Sequence, residues 1–192
     1  SYWMCVKYGE DRNLIPFPKK KYKIIYADPA WTYKVWSGKG KKKKSAENHY
    51  NCMNIEDIKN LPIQNIVDKD CVLFMWVTMP NLIEGIETIN SWGFKYKTCG
   101  FTWLKTYKNG NPVCGLGYWT RSNAELCLLA TKGKPKRINK GVYQAVLEVQ
   151  REHSRKPDCV RDRIVELMGD LPRIELFARN KYKGWDSWGN EV

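Results

Sequence analysis

The chain has 192 residues, 43% of them hydrophobic, enough for one buried core and short for two, so a single domain over residues 1–192 is predicted, with 1–21 as an N-terminal extension. It has no long uncharged apolar stretch, which argues against a membrane span and a secretory leader and predicts a cytoplasmic protein, or a nuclear one in a eukaryote. Thirty-three Lys and Arg against 20 Asp and Glu give a net charge of +13, which points to a polyanionic partner, nucleic acid first, although a merely solvated basic surface has the same balance.

In chain order, apolar runs bounded by turn signals predict strands at residues 23–27, 71–77, 100–104, 124–130 and 174–178. Most are continuously hydrophobic, as buried central strands are. A short helix is predicted to start at Asn54. A second follows Thr78 and Pro80, with Leu82, Ile83, Ile86 and Ile89 on one face and Gly93 as its stop. A third follows Pro157 and Asp158, carries Val160, Ile164, Leu167 and Met168, and closes at Gly169. Alternating strands and helices predict an α/β sheet.

Two segments fit no core. Residues 37–48 hold Lys39, Lys41, Lys42, Lys43 and Lys44 among Gly and Ser, which predicts a basic, mobile loop kept open by its own charge. It is either a substrate-gripping loop or a basic tract without a fixed partner. Residues 106–120, with Gly110, Asn111, Pro112, Gly115 and Gly117, are read as another loop. The seven cysteines are odd in number and lack any C-x-x-C pair, so they are read as reduced, small hydrophobes, and no metal site is predicted. Thirteen per cent aromatic residues, nine of them Trp, suit a surface that stacks bases.

Chemistry concentrates just after the first strand, at Asp28, Pro29, Ala30 and Trp31. An ionised Asp accepts an N–H and donates none, and the Pro29 carbonyl can take a second N–H. Together they could hold both hydrogens of an exocyclic amine, with Trp31 as a face for a flat base. Asp-Pro also simply starts turns, and the tetrapeptide alone leaves both readings open. The basic loop and Arg121 are candidates for phosphate contacts, and His49 for a substrate contact.

Several segments in order resemble one family: YADPAW at 26–31, HY at 49–50, FMWVT at 74–78, GLGYWTR at 115–121, EHSRKPD at 152–158, RIELFAR at 173–179 and GWDSWGNE at 184–191. Together they are similar to the N6-adenine methyltransferases related to the catalytic subunit of the messenger-RNA adenosine methyltransferase, including small single-domain bacterial and phage members. The resemblance implies a Rossmann-like S-adenosylmethionine-dependent methyltransferase sheet, permuted so that the catalytic strand comes early and the cofactor strand late. Asp28 would then lie beside Phe177 and Arg179 in one pocket. It also implies Lys156 for the methionine carboxylate of S-adenosylmethionine, Glu175 and Arg179 around the ribose, Asn190 and Glu191 near the adenosine end, and Tyr50 as a second contact to the base. Duller roles exist for these residues: a solvated Lys156 ahead of a helix, and Glu175 and Arg179 as edge charges pairing with each other; His153 suggests a general base, which this reaction class does not require, and is read as structural.

One departure stands out, because the family pattern usually has a second proline where this chain has Ala30. That frees Pro29 from the restriction on residues preceding proline. The activity so implied is methyl transfer to adenine N6 in nucleic acid, by direct attack on the sulfonium methyl and with the base extruded or already single stranded. The resemblance favours DNA over RNA, because compact single-domain relatives of this type look like prokaryotic or phage enzymes, and the small size of the chain predicts low specificity or dependence on a second copy or partner subunit. An inactive methyltransferase-like subunit that only binds nucleic acid is the alternative, and methylation of a small amine or a protein glutamine is a third reading.

Overall fold

A computed structural model describes residues 15–31, 53–151 and 155–192. Its centre is a seven-stranded mixed sheet in the order β5-β3-β4-β2-β1-β6-β7. The strands are β1 Tyr22–Ala27, β2 Val67–Val77, β3 Lys95–Thr106, β4 Ala124–Lys132, β5 Ala145–Val149, β6 Arg173–Leu176 and β7 Asp186–Trp188. Three α-helices, α1 Ile55–Lys59, α2 Leu82–Ser91 and α3 Cys159–Met168, and two 3-10 turns, Ile63–Asn65 and Met79–Asn81, complete the described elements.

β1 lies parallel to both β2 and β6, and five of its six residues are buried, so apolar side chains are needed on both faces. Ile25 and Ala27 enter a core shared with Leu73, Met75, Ile58 and Ile89, on the side of α1 and α2. Ile24 and Tyr26 point the other way, to Phe74, Trp76, Val160 and Ile164, on the side of α3. The period of two along a strand thus builds two cores from one sequence run.

The helix ends follow the predicted punctuation. The Asn54 side chain accepts the Glu56 N–H at 3.2 Å and starts α1. A single 3-10 turn at Met79–Asn81 precedes α2. Gly169 closes α3 at φ +91 while donating its N–H to the Val165 carbonyl.

The structure corrects several expectations. β4 is antiparallel to both β2 and β3, so the sheet is mixed. β5 and β7 were not predicted. β3 begins at Lys95, through an exposed half that carries no hydrophobic run. β6 stops at Leu176 instead of continuing to Ala178, because Phe177 turns into the left-handed region at φ +61. The loop predicted at 106–120 is found from residue 107 on, closed by bridges at Thr106–Pro112 and Gly115–Ser122. Cys71, Cys99, Cys114, Cys127 and Cys159 are free thiols, while Cys5 and Cys52 lie outside the described residues. Among the described residues no helix is long and apolar enough to cross a membrane.

Candidate active site

β1 delivers the chain to Asp28 and β6 delivers it to Phe177, with Ala27 and Leu176 paired side by side. Beyond β1 the next strand, β2, lies on one flank, and beyond β6 the next strand, β7, lies on the other. The connections diverge at this point, the position in an open α/β sheet where a crevice forms. A cavity lies here, lined among others by Asp28, Lys156, Arg161, Glu175, Phe177 and Arg179.

Its floor is a chain of charges. Lys156 Nζ, on a side chain only 10% exposed, donates to Asp28 Oδ1 at 3.1 Å and to Glu125 Oε2 at 3.0 Å. The other Glu125 oxygen takes Lys105. The two carboxyls titrate in opposite directions. Burial pushes Asp28 above its ordinary range; Lys156 pulls against that rise and Glu125 adds to it. Burial would also raise Glu125, but Lys156 and Lys105 outweigh it and hold the carboxyl below the usual range. Burial works against the Lys156 ammonium, yet the two carboxylates hold its pKa above that of a free lysine.

A second pair forms one wall. Arg161 of α3 grips Glu175 of β6 through two parallel bonds, Nε to Oε2 at 2.7 Å and a terminal nitrogen to Oε1 at 2.6 Å. The guanidinium lies over the Tyr182 ring at 3.6 Å. Burial raises the Glu175 carboxyl and Arg161 opposes the rise.

Of the residues singled out from sequence, Asp28, Lys156, Glu175, Phe177 and Arg179 meet in this cavity. Pro29 is buried, and its carbonyl already accepts the Trp31 N–H at 2.9 Å, which leaves one lone pair for another donor. Ala30 packs half-buried against the core. Trp31 is 6% exposed, belongs to the core, and donates its indole N–H to the Trp76 carbonyl at 2.8 Å. Its ring therefore anchors the tetrapeptide and does not present the open stacking face expected of it. Arg121 stands exposed on the segment before β4, and Asn190 and Glu191 are exposed after β7. Lys41, Lys42, Lys43, Lys44, His49, Tyr50 and His153 lie outside the described residues.

Sequence reasoning missed Glu125, Lys105 and Arg161. Arg161 had a signal: it shares a helix face with Ile164 and Met168, three and seven residues on, which places a cation on an otherwise apolar stripe. Glu125, second in β4, sits next to a run of apolar residues, but nothing in the sequence shows that Lys156 meets it.

Open α/β sheets with a polar crevice at such a switch point form a class of ligand-binding proteins, mostly enzymes, and this fold and site fall within it. Comparison with known proteins narrows the class: the MT-A70 family profile matches residues 22–191. The chain belongs to the MT-A70 family of methyltransferases. It is 37% identical over 191 residues to the Type II methyltransferase M.MunI of Mycoplasma sp, covering 91% of this chain and 79% of that relative. It is 29% identical over 177 residues to the N(6)-adenosine-methyltransferase catalytic subunit METTL3 of Homo sapiens, covering 90% of this chain and 28% of that protein. An MT-A70-like N(6)-adenosine-methyltransferase of Arabidopsis thaliana is also 29% identical, over 174 residues, with 88% and 23% covered. The chain thus spans less than a third of these two eukaryotic relatives.

Proposed function

We propose that this methyltransferase moves a methyl group from S-adenosylmethionine to N6 of adenine in nucleic acid, with DNA the favoured substrate. The observation that carries this reading is the Asp28 carboxyl at the carboxyl end of β1, opening into the switch-point cavity and held there by Lys156. The names of the two eukaryotic relatives support the N6 target, and alignment over most of a type II methyltransferase supports methyl transfer as the activity. On this reading β1 is the early catalytic strand and β6 the late cofactor strand.

The donor set fits S-adenosylmethionine, which combines a carboxylate with cationic centres and ribose hydroxyls. Lys156 spends two of its three N–H groups on Asp28 and Glu125, leaving one for a carboxylate. Each Glu175 oxygen keeps a lone pair beyond its bond to Arg161, enough to receive a hydroxyl. Phe177 and Arg179 line the same cavity. When bound, the cofactor supplies an electrophilic methyl on a sulfonium.

The protein's part is to present the amine. A carboxylate at Asp28 and the carbonyl of Pro29 accept the two amino hydrogens and draw the nitrogen toward a tetrahedral geometry. Asp28 also stabilises the positive charge that grows on that nitrogen. Its raised pKa makes the carboxylate a stronger base than a free aspartate, suited to hold the proton that the methylated nitrogen sheds.

The test is methyl transfer to matched single-stranded DNA, duplex DNA and RNA oligonucleotides, followed by digestion to nucleosides. N6-methyladenine in product from the wild type is expected, with the largest yield on DNA. Asp28→Ala should lower the rate by about 10²–10³-fold while nucleic-acid binding stays near normal. Unchanged turnover in that variant would remove Asp28 from the chemistry.

A further inference from the structure

β3 runs parallel to β1, so the excursion from residue 107 to 123 rises from the same sheet edge as Asp28. Its feet, Lys105 and Glu125, belong to the ion network beneath the cavity. The excursion is built, not slack: Val113 donates to the Lys105 carbonyl at 2.8 Å and Gly115 to the Ser122 carbonyl at 3.0 Å. A Cβ on Gly117 would run into the Thr120 carbonyl, so the tip closes this tightly only with glycine there.

At that tip Trp119 is 92% exposed and holds φ at +69. A bulky residue in the left-handed region is strained, and an indole lying almost wholly in solvent returns little packing to the fold in exchange. Tyr118 meets its ring edge-on at 6.3 Å, and Leu116 beside it is 92% exposed. Residues 107–123 contain Lys108 and Arg121 and no Asp or Glu, on a chain of net charge +13, while Lys105 at the foot is already paired with Glu125. An aromatic tip rimmed by cations complements a polyanion that carries flat rings, and a second copy of this basic chain would be repelled from it.

We infer that Trp119 stacks on a base flanking the target in the bound nucleic-acid strand, with Arg121 on a neighbouring phosphate. This rests on the proposed reaction for the meaning of "target", but the contact itself is read by binding alone. Trp31, whose ring is in the core, offers no such face, whereas the Trp119 indole is exposed on an excursion whose feet join the ion network of the site.

The experiment is fluorescence anisotropy with a labelled single-stranded oligodeoxynucleotide over a salt series, using the full chain without cofactor. Trp119→Ala should weaken binding about 5- to 100-fold and leave the slope against log salt unchanged, while Trp119→Phe restores most of the affinity. Arg121→Ala should reduce that slope by about 0.7. Unaltered circular dichroism in each variant shows that the fold is intact. Wild-type affinity in Trp119→Ala overturns the inference, and so does a wild-type dimer that becomes monomeric in that variant, since the tip would then join two copies. Weakened binding in Trp119→Ala together with no N6-methyladenine from the wild type upholds the stacking contact and sinks the proposed reaction.

Discussion

Lys156 divides its charge between two carboxyls that respond in opposite senses, Glu125 held below the usual range and Asp28 raised above it. The pair therefore separates roles: Glu125 stays anionic and pins the ammonium, while Asp28 keeps a more basic oxygen for the substrate. The consequence is a pH dependence with a definite sign. Activity that needs the Asp28 carboxylate is present at high pH and is lost as pH falls through a pKa above the ordinary aspartate value. Lys156 lowers that pKa, so Lys156→Met should move the acid limb of the single-turnover rate to higher pH. The same variant should weaken use of the cofactor, because the spare N–H goes too. Rate profiles of the two proteins across the acid range at saturating cofactor check this. An acid limb that stays in place would mean that Lys156 and Asp28 do not interact in solution.

At the scale of elements, α3 is fastened to β6 by Arg161 and Glu175, whose side chains are 9% and 7% exposed. A pair this buried gains little over apolar packing, but removing one partner strands the other charge away from water. Arg161→Met should destabilise the protein by about 3–5 kcal/mol, and Arg161→Met with Glu175→Leu should recover most of that loss. Denaturant midpoints of the single and double variants measure the coupling. The sequence pointed to Glu175 but offered Arg179 as its partner, four residues away in the chain. The actual partner comes from the preceding helix, a tertiary fact that strand periodicity does not encode. β5 and β7 escaped notice for a related reason. β5 carries a short apolar run, AVLEV, but as an edge strand it buries only Val146 and leaves Leu147 66% exposed, and β7 is three residues, DSW, with no hydrophobic run. Helix ends were readable because Asn54 and Gly169 act through local backbone chemistry.

On the scale of the whole molecule, the two halves of the site come from opposite ends of the chain, and the parallel pairing of β1 with β6 unites them. Resemblance to a family supplied that juxtaposition in advance; composition supplied the charge. The excess of 13 positive charges bears on binding in a way that the cavity does not. Every phosphate neutralised releases condensed counterions, so the slope of log affinity against log salt reports how many cations engage, at about 0.7 per phosphate on a single strand and 0.9 on a duplex. Lys41, Lys42, Lys43 and Lys44 form the densest run of positive charge in the sequence. If they grip the backbone, replacing all four with Gln should flatten the slope by about three to four units on duplex DNA. The chemical step at saturating substrate should change little, since none of the four is needed to present the amine. If instead they are a solvated tract, the slope stays as it was and the basic surfaces elsewhere carry the binding, with Arg121 the first of them to substitute. Titrations from low to moderate salt with one duplex and the matching single strand separate these outcomes.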